Sequence, residues 1–142
     1  MTALDAWAQV QGCGIAGTEW EFRIAPPGED RRPLVPDVAY LSYERVPYDR
    51  LDDADIPRVA PNAVVEVLSP GDRHEDVEEK VRVYLACGTS VVFLVDTKAQ
   101  TVTVRDGSPQ VVLGRAKDVR HQSLEGFSMP ARLLFDPPRP KE

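Results

Sequence analysis

The sequence predicts an α/β (α+β) protein in which helices flank a mixed central sheet that ends in a C-terminal hairpin. Three observations carry this. NAVVEVL (62–68) is apolar on both faces except for one glutamate, as a strand buried on two sides would be. From Arg73 to Cys87, apolar Val77, Val81, Tyr84 and Leu85 recur at helical spacing. SVVFLV (90–95) is a second buried strand, and it leads into TVTVR and QVVLG, two strands separated by an RDGS turn.

The other elements follow in order. ALDAWAQVQ sets Leu4, Trp7, Ala8 and Gln11 on one side of a short helix, capped by Thr2 and stopped by the Gly12/Gly14 pair. TEWEFRI (18–24) alternates Trp20, Phe22 and Ile24 with Glu19, Glu21 and Arg23, the pattern of an edge strand. APPGEDRRPLVP is too rich in proline, glycine and charge to pack, and reads as a loop. PDVAYLSY restarts the chain as a strand, with Pro36 at its first position and Asp37 at its beginning. ERVPYDRLDDADIPRVAP (44–61) reads as a surface loop with a helical turn around Tyr48 to Leu51. Gly88 ends the second helix, whose start is crowded by Asp72, Glu75 and Asp76. SLEGFSMPARLLF gives a short extended piece and a last helical turn with Pro130 at its first position. The expected organisation is one domain over 1–136 and a loose tail over 137–142, in the order helix, three strands, helix, strand, hairpin.

Composition narrows the partners. The formal net charge of -6 argues against indiscriminate attraction to nucleic acid, so such a role needs a local basic surface or cations held by carboxylates. Cys13 and Cys87 lack paired or metal-ligand spacing and read as free thiols. No apolar run approaches the roughly 18–20 residues of a membrane span, which makes a soluble cytoplasmic protein the expectation.

Glu66 raises the chemical question. An ionised carboxylate within a sheet costs several kcal/mol unless it is paired, protonated or bound to a cation. Val64 and Leu68 share its face, so a countercharge has to come from another element. Lys80 lies about seven residues into the following helix, roughly 10 Å along its axis. Glu66 stands about 7–10 Å before the strand end, so the two are level if the helix folds back along the sheet. Asp37, opening the neighbouring strand, adds a second carboxylate. Oxygen ligands of this kind bind Mg²⁺ or Mn²⁺.

At these residues the sequence resembles a known family. RRPLVPDVAYLS, PNAVVEVLSPGDRHEDVEEKVRVYLACG, VVFLVDTKAQTVTV and LEGFSMP are similar to successive motifs of the Uma-two family of restriction endonucleases, within the PD-(D/E)XK nuclease superfamily. The resemblance runs from about Arg31 to Leu134. It implies a restriction-endonuclease-like αβββαβ core and Mg²⁺- or Mn²⁺-dependent hydrolysis of phosphodiester bonds, with DNA as substrate and a homodimer as the default assembly. By position, Asp37 matches the acidic residue of the PD motif and Glu66 that of the next strand. The superfamily lysine ordinarily stands two positions after the glutamate, where this sequence has Leu68; Lys80 matches the migrated lysine that the family supplies from its helix. The implied roles are catalytic for Asp37, Glu66 and Lys80, with Asp37, Glu66 and the Val67 carbonyl on the metal. Family members carry an additional N-terminal segment, and Asp5, Glu19 and Glu21 are the candidates here for an extra acidic ligand.

Other residues have simpler readings. Ser69 lacks the preceding glycine of a nucleophile elbow. His74 and Glu78 share a helix face but belong to a solvated helix start. Arg31 and Arg32 read first as solvated loop arginines rather than phosphate contacts. The rival to a nuclease is a binding or regulatory module that keeps the fold without turnover.

Overall fold

The computed structural model describes residues 2–137 and 140, leaving aside the side chains of 52–54. Four of the six residues of the expected tail therefore lie outside the described residues.

Helix α1 (Ala3–Gln11) begins where the Thr2 hydroxyl accepts the Asp5 N–H at 3.1 Å and ends at Gly12, whose φ of 63° is the left-handed conformation glycine adopts freely. Strands β1 (Gly14–Thr18), β2 (Val38–Ser42), β3 (Ala63–Leu68), β4 (Val91–Asp96), β5 (Thr101–Arg105) and β6 (Val111–Leu113) form one sheet in sequence order. Helix α2 (His74–Ala86) makes the crossover between β3 and β4, the parallel pair; the other neighbours are antiparallel. The sheet is therefore mixed, as expected, and β5–β6 is the expected hairpin. A small pair, β7 (Asp118–Val119) with β8 (Met129–Pro130), follows.

Apolar residues alternate between the two faces. On the α1 side Leu4, Ala8, Tyr40, Ala63, Val91 and Phe93 pack with Leu124 and Phe127 of the C-terminal segment. On the α2 side Ala39, Leu41, Val64, Val92 and Leu94 pack under Val81 and Tyr84. Among the described residues no helix is long and apolar enough to cross a membrane.

Three local expectations are corrected. The first edge strand is GIAGT (14–18), not TEWEFRI: Glu19 has a φ of 50°, which turns the chain out of the sheet. Phe22 then makes only an isolated bridge with Leu34, while Phe22 and Ile24 still bury themselves in the α2-side core. The period of two was real; it reports extended chain packing on a core rather than ladder pairing. β1 lies so close to β2 that a Cβ on Gly14 would meet the Leu41 carbonyl, the Tyr40 ring and the Ser42 backbone, so glycine is required there. Secondly, β3 is buried on both faces only at Ala63 and Val64; from Val65 onward it opens, and Val67 is exposed. Thirdly, Pro130 belongs to β8 and precedes the last helical turn (Ala131–Leu134) instead of beginning it.

Candidate active site

The β2–β3 register brings the two sequence-predicted carboxylates together. Val38 faces Val65 and Ala39 faces Val64, so the next pair outward is Asp37 and Glu66. Counting back by two from Leu41 and Ala39 puts Asp37 on the α2 side of the sheet; counting forward by two from Val64 puts Glu66 there as well. One Asp37 carboxylate oxygen accepts the Val67 N–H at 2.7 Å, closing the strand ends beyond the last ladder pair. A strand residue directs its N–H and C=O toward the same neighbour, so the Val67 carbonyl also faces the β2 side.

Glu66 meets α2 from below. Its Oε1 accepts the Tyr84 hydroxyl at 3.1 Å. Lys80, one helical turn before Tyr84, lines the same cleft of about 410 Å³, together with Asp72, Asp76 and Leu94. The lysine and glutamate thus line one cleft, but Lys80 is exposed and makes no hydrogen bond or ion pair among the described residues, Asp76 included. It acts on Glu66 through its charge alone. Burial pushes the Glu66 carboxyl up to about 7; the negative charges of Asp37 and Asp72 add to this, while Lys80 and the Tyr84 hydroxyl oppose it. Tyr84 in turn is raised by burial and by the charge of Glu66.

Tyr84 and Asp72 are the neighbours that sequence reasoning did not assign to the site. A signal existed for Tyr84: a tyrosine inside an aliphatic helix stripe needs a partner for its buried hydroxyl, and Glu66 needed a donor. Asp72, in the β3–α2 loop, also takes the Ser69 N–H at 2.7 Å. Of the three acidic residues considered for an extra ligand, Asp5 belongs to α1 on the opposite face and holds the Gln9 amide at 3.4 Å. Glu19 donates its N–H to the Asp37 carbonyl at 3.3 Å, and Glu21 is half-buried. Neither perturbs Glu66, whose acidic neighbours are Asp37 and Asp72.

Among the described residues no three His, Cys, Asp or Glu side chains form a metal-ligating group. The candidate set is two carboxylates and a peptide carbonyl, all hard oxygens, which suits Mg²⁺ or Mn²⁺ with several ligand positions left to water or phosphate. The half-buried Glu66 fits this, since its ionised form lacks an ion-paired partner and a cation would supply the missing charge. Arg31, one of the two arginines considered for phosphate contact, and Glu78 of the His74/Glu78 pair have other duties. Arg31 bonds Glu79 at 2.8 Å and, with Arg82 and Glu29, straps the loop before β2 to α2; Glu78 takes a two-pronged contact from Arg105 at 2.7 and 2.8 Å.

A mixed sheet with a β–α–β crossover, and acids meeting at the open end of its central strand, is the frame of a nuclease fold. The chain belongs to the Uma2 family, described as "putative restriction endonuclease", whose model matches residues 1–132. Among solved structures, one described as a "putative nuclease belonging to DUF820" from Anabaena variabilis superposes with a TM-score of 0.79 at 24% identity, covering 94% of this chain and 74% of that one. No curated protein matches.

Proposed function

We propose that this protein is a metal-dependent endonuclease that hydrolyses phosphodiester bonds in DNA. The observation that carries the reading is the meeting of Asp37 and Glu66 on one face, across from each other, with Lys80 in the cleft above. Asp37, Glu66 and the Val67 carbonyl would hold Mg²⁺ or Mn²⁺. When bound, the ion polarises a phosphoryl oxygen and eases deprotonation of water. The protein's own groups do the rest. The Val67 N–H fixes the Asp37 carboxylate, and the Tyr84 hydroxyl orients Glu66. Lys80 offers a mobile ammonium where negative charge grows on the phosphoryl oxygens or where the attacking water must be oriented. A homodimer would present two such clefts, one for each strand.

Titration of Mg²⁺ and Mn²⁺ against labelled DNA tests this. Cleavage should require the ion and disappear in Asp37→Ala and Glu66→Ala. Wild-type protein inert with every metal and substrate, or variants that cleave as well as wild type, would refute it. Binding that persists in chelator without hydrolysis would favour the rival, a nuclease fold kept as a binding module.

A further inference from the structure

The cleft that holds Glu66 and Lys80 does not end at Leu94. It runs on, away from Asp37, into a larger cavity of about 500 Å³ that shares Leu68, Asp72, Val77 and Leu94 with it. The ladder register sets the direction: Glu66 faces Leu94 on β4, and Leu94 faces Thr103 on β5, so all three point to the α2 side. Two strand spacings of about 4.8 Å put Thr103 roughly 10 Å across the sheet from Glu66. The cavity lies beyond the carboxyl ends of the parallel pair β3 and β4, where open α/β sheets hold their ligands.

Charged and uncharged groups differ sharply in this cavity. Its carboxylates are all engaged: Asp72 takes the Ser69 N–H at 2.7 Å, Asp96 takes the Lys98 and Ala99 N–H groups at 3.0 and 2.9 Å, and Glu78 takes both prongs of Arg105. These acids and the basic side chains of His74, Lys98 and Arg105 come close to balance, so the cavity is no phosphate-attracting patch. The uncharged polar groups are free. The side chains of Ser69, Thr97 and Gln110, on the exposed rim, and the hydroxyl of half-buried Thr103 make no hydrogen bond among the described residues. Leu68, Val77 and the buried Leu94 supply the apolar part.

Apolar walls with a few uncommitted donors and acceptors, in about 500 Å³, are the make-up of a small-ligand pocket. A nucleobase has the complementary chemistry: its faces stack on apolar side chains, its edge carries donors and acceptors, and it bears no charge at neutral pH. We infer that this cavity receives the base of the nucleotide adjoining the scissile phosphate, with Thr103 hydrogen-bonded to the base edge and Leu94 against its face. The inference rests on the nucleic-acid reading of the function and adds a substrate class to it. A base in this cavity has left the helical stack, so single-stranded or mismatched sites are favoured over paired ones. Thr103 is then a specificity-determining residue, since it touches the base and not the reacting phosphate.

The test is NMR titration of methyl-labelled protein, in chelator so that no cleavage intervenes, with the four deoxynucleoside monophosphates and with deoxyribose 5-phosphate, which lacks the base. The Leu68, Val77, Leu94 and Thr103 methyls should shift saturably with nucleotides and stay in place with the sugar phosphate. Thr103→Val keeps a branched strand residue and removes the hydroxyl, so it should weaken nucleotide binding about three- to tenfold. Thr103→Ser should recover most of that loss. With metal present, a mismatched site should be cut faster than its paired counterpart. If wild type cleaves nothing yet these methyls respond to nucleotides, the hydrolytic reading fails and this inference stands. If DNA is cleaved but the methyls ignore nucleotides, or answer the sugar phosphate equally, this inference alone falls. Thr103→Val that binds nucleotides as wild type does, or faster cleavage of the paired site, would also overturn it.

Discussion

β3 and β4 lie side by side, parallel, six residues each, in register from Ala63 and Val91 to Leu68 and Asp96. Yet β4 is buried along its first five residues while β3 is buried only for two. The contrast is sharpest where Glu66 pairs with Leu94: both face α2 and both line the same cleft, one as a carboxylate, the other as an aliphatic side chain. Leu94 shows that this depth in the sheet accepts an apolar residue, so Glu66 is there at the expense of stability. Carboxylate chemistry and packing compete for one position, and β3 and β4 resolve that competition differently.

The most drastic way to break the contrast is Glu66→Leu, which copies β4 into β3. Cleavage of DNA should fall by more than the roughly 10–100-fold that loss of a supporting partner costs a metal site. The same variant should withstand urea better than wild type at pH 8, because the charge that burial penalises is gone. An inactive variant that is also less stable would mean that Glu66 is a structural partner of Tyr84.

A milder probe keeps the shape and removes the charge. Unfolded Glu66 ionises near 4.5 and folded Glu66 near 7, so the native state holds an extra proton between those values. Without metal, its contribution is therefore lost as pH rises from 4.5 through 7, by about 2–3 kcal/mol once partial solvent screening is allowed for. Urea unfolding of wild type and Glu66→Gln across this range should diverge by that amount, with the wild type becoming the weaker at high pH. Parallel curves would show that the burial of Glu66 carries no such penalty. Divalent-ion affinity should rise over the same interval, since the ligand must deprotonate.

The smallest change is Tyr84→Phe. It removes the hydrogen bond that favours ionised Glu66, so the midpoint of the pH dependence of metal binding should move upward by about one unit, the equivalent of an ordinary hydrogen bond to a charged group. A midpoint that stays in place would leave burial and the neighbouring charges, Lys80 first among those that oppose it, as the controls of Glu66.

Much of this frame was legible from side-chain periodicity. Val77, Val81 and Tyr84 announced the face of α2 that packs on the sheet, and one rise-per-residue argument directed Lys80 toward the cleft that Glu66 also lines. Pro36 marked the approach to a strand, although β2 begins at Val38, so Pro36 and Asp37 stand just before it rather than as its first residues. What escaped had a tertiary cause. GIAGT sets its two branched residues, Ile15 and Thr18, among glycines and an alanine, too sparse a pattern to mark a strand; it pairs because small residues let β1 approach β2, something only the partner strand reveals. TEWEFRI misled because burial against α2-side residues gives the same alternation as a ladder. The Tyr84–Glu66 bond and the nearness of Asp72 depend on how the loop after β3 returns, which no local pattern encodes. The side chain of Arg31 was ambiguous until Glu79 stood opposite it.

The bond from Val67 N–H to Asp37 has a consequence for observation. One backbone amide depends for its protection on a side chain that sits in the candidate centre, so its hydrogen-exchange rate and chemical shift become an intrinsic gauge of that carboxylate's engagement. A ligand that draws Asp37 away should release the Val67 proton to solvent, and a ligand that leaves Asp37 in place should not. The molecule thus carries its own spectroscopic reporter, needing no added dye.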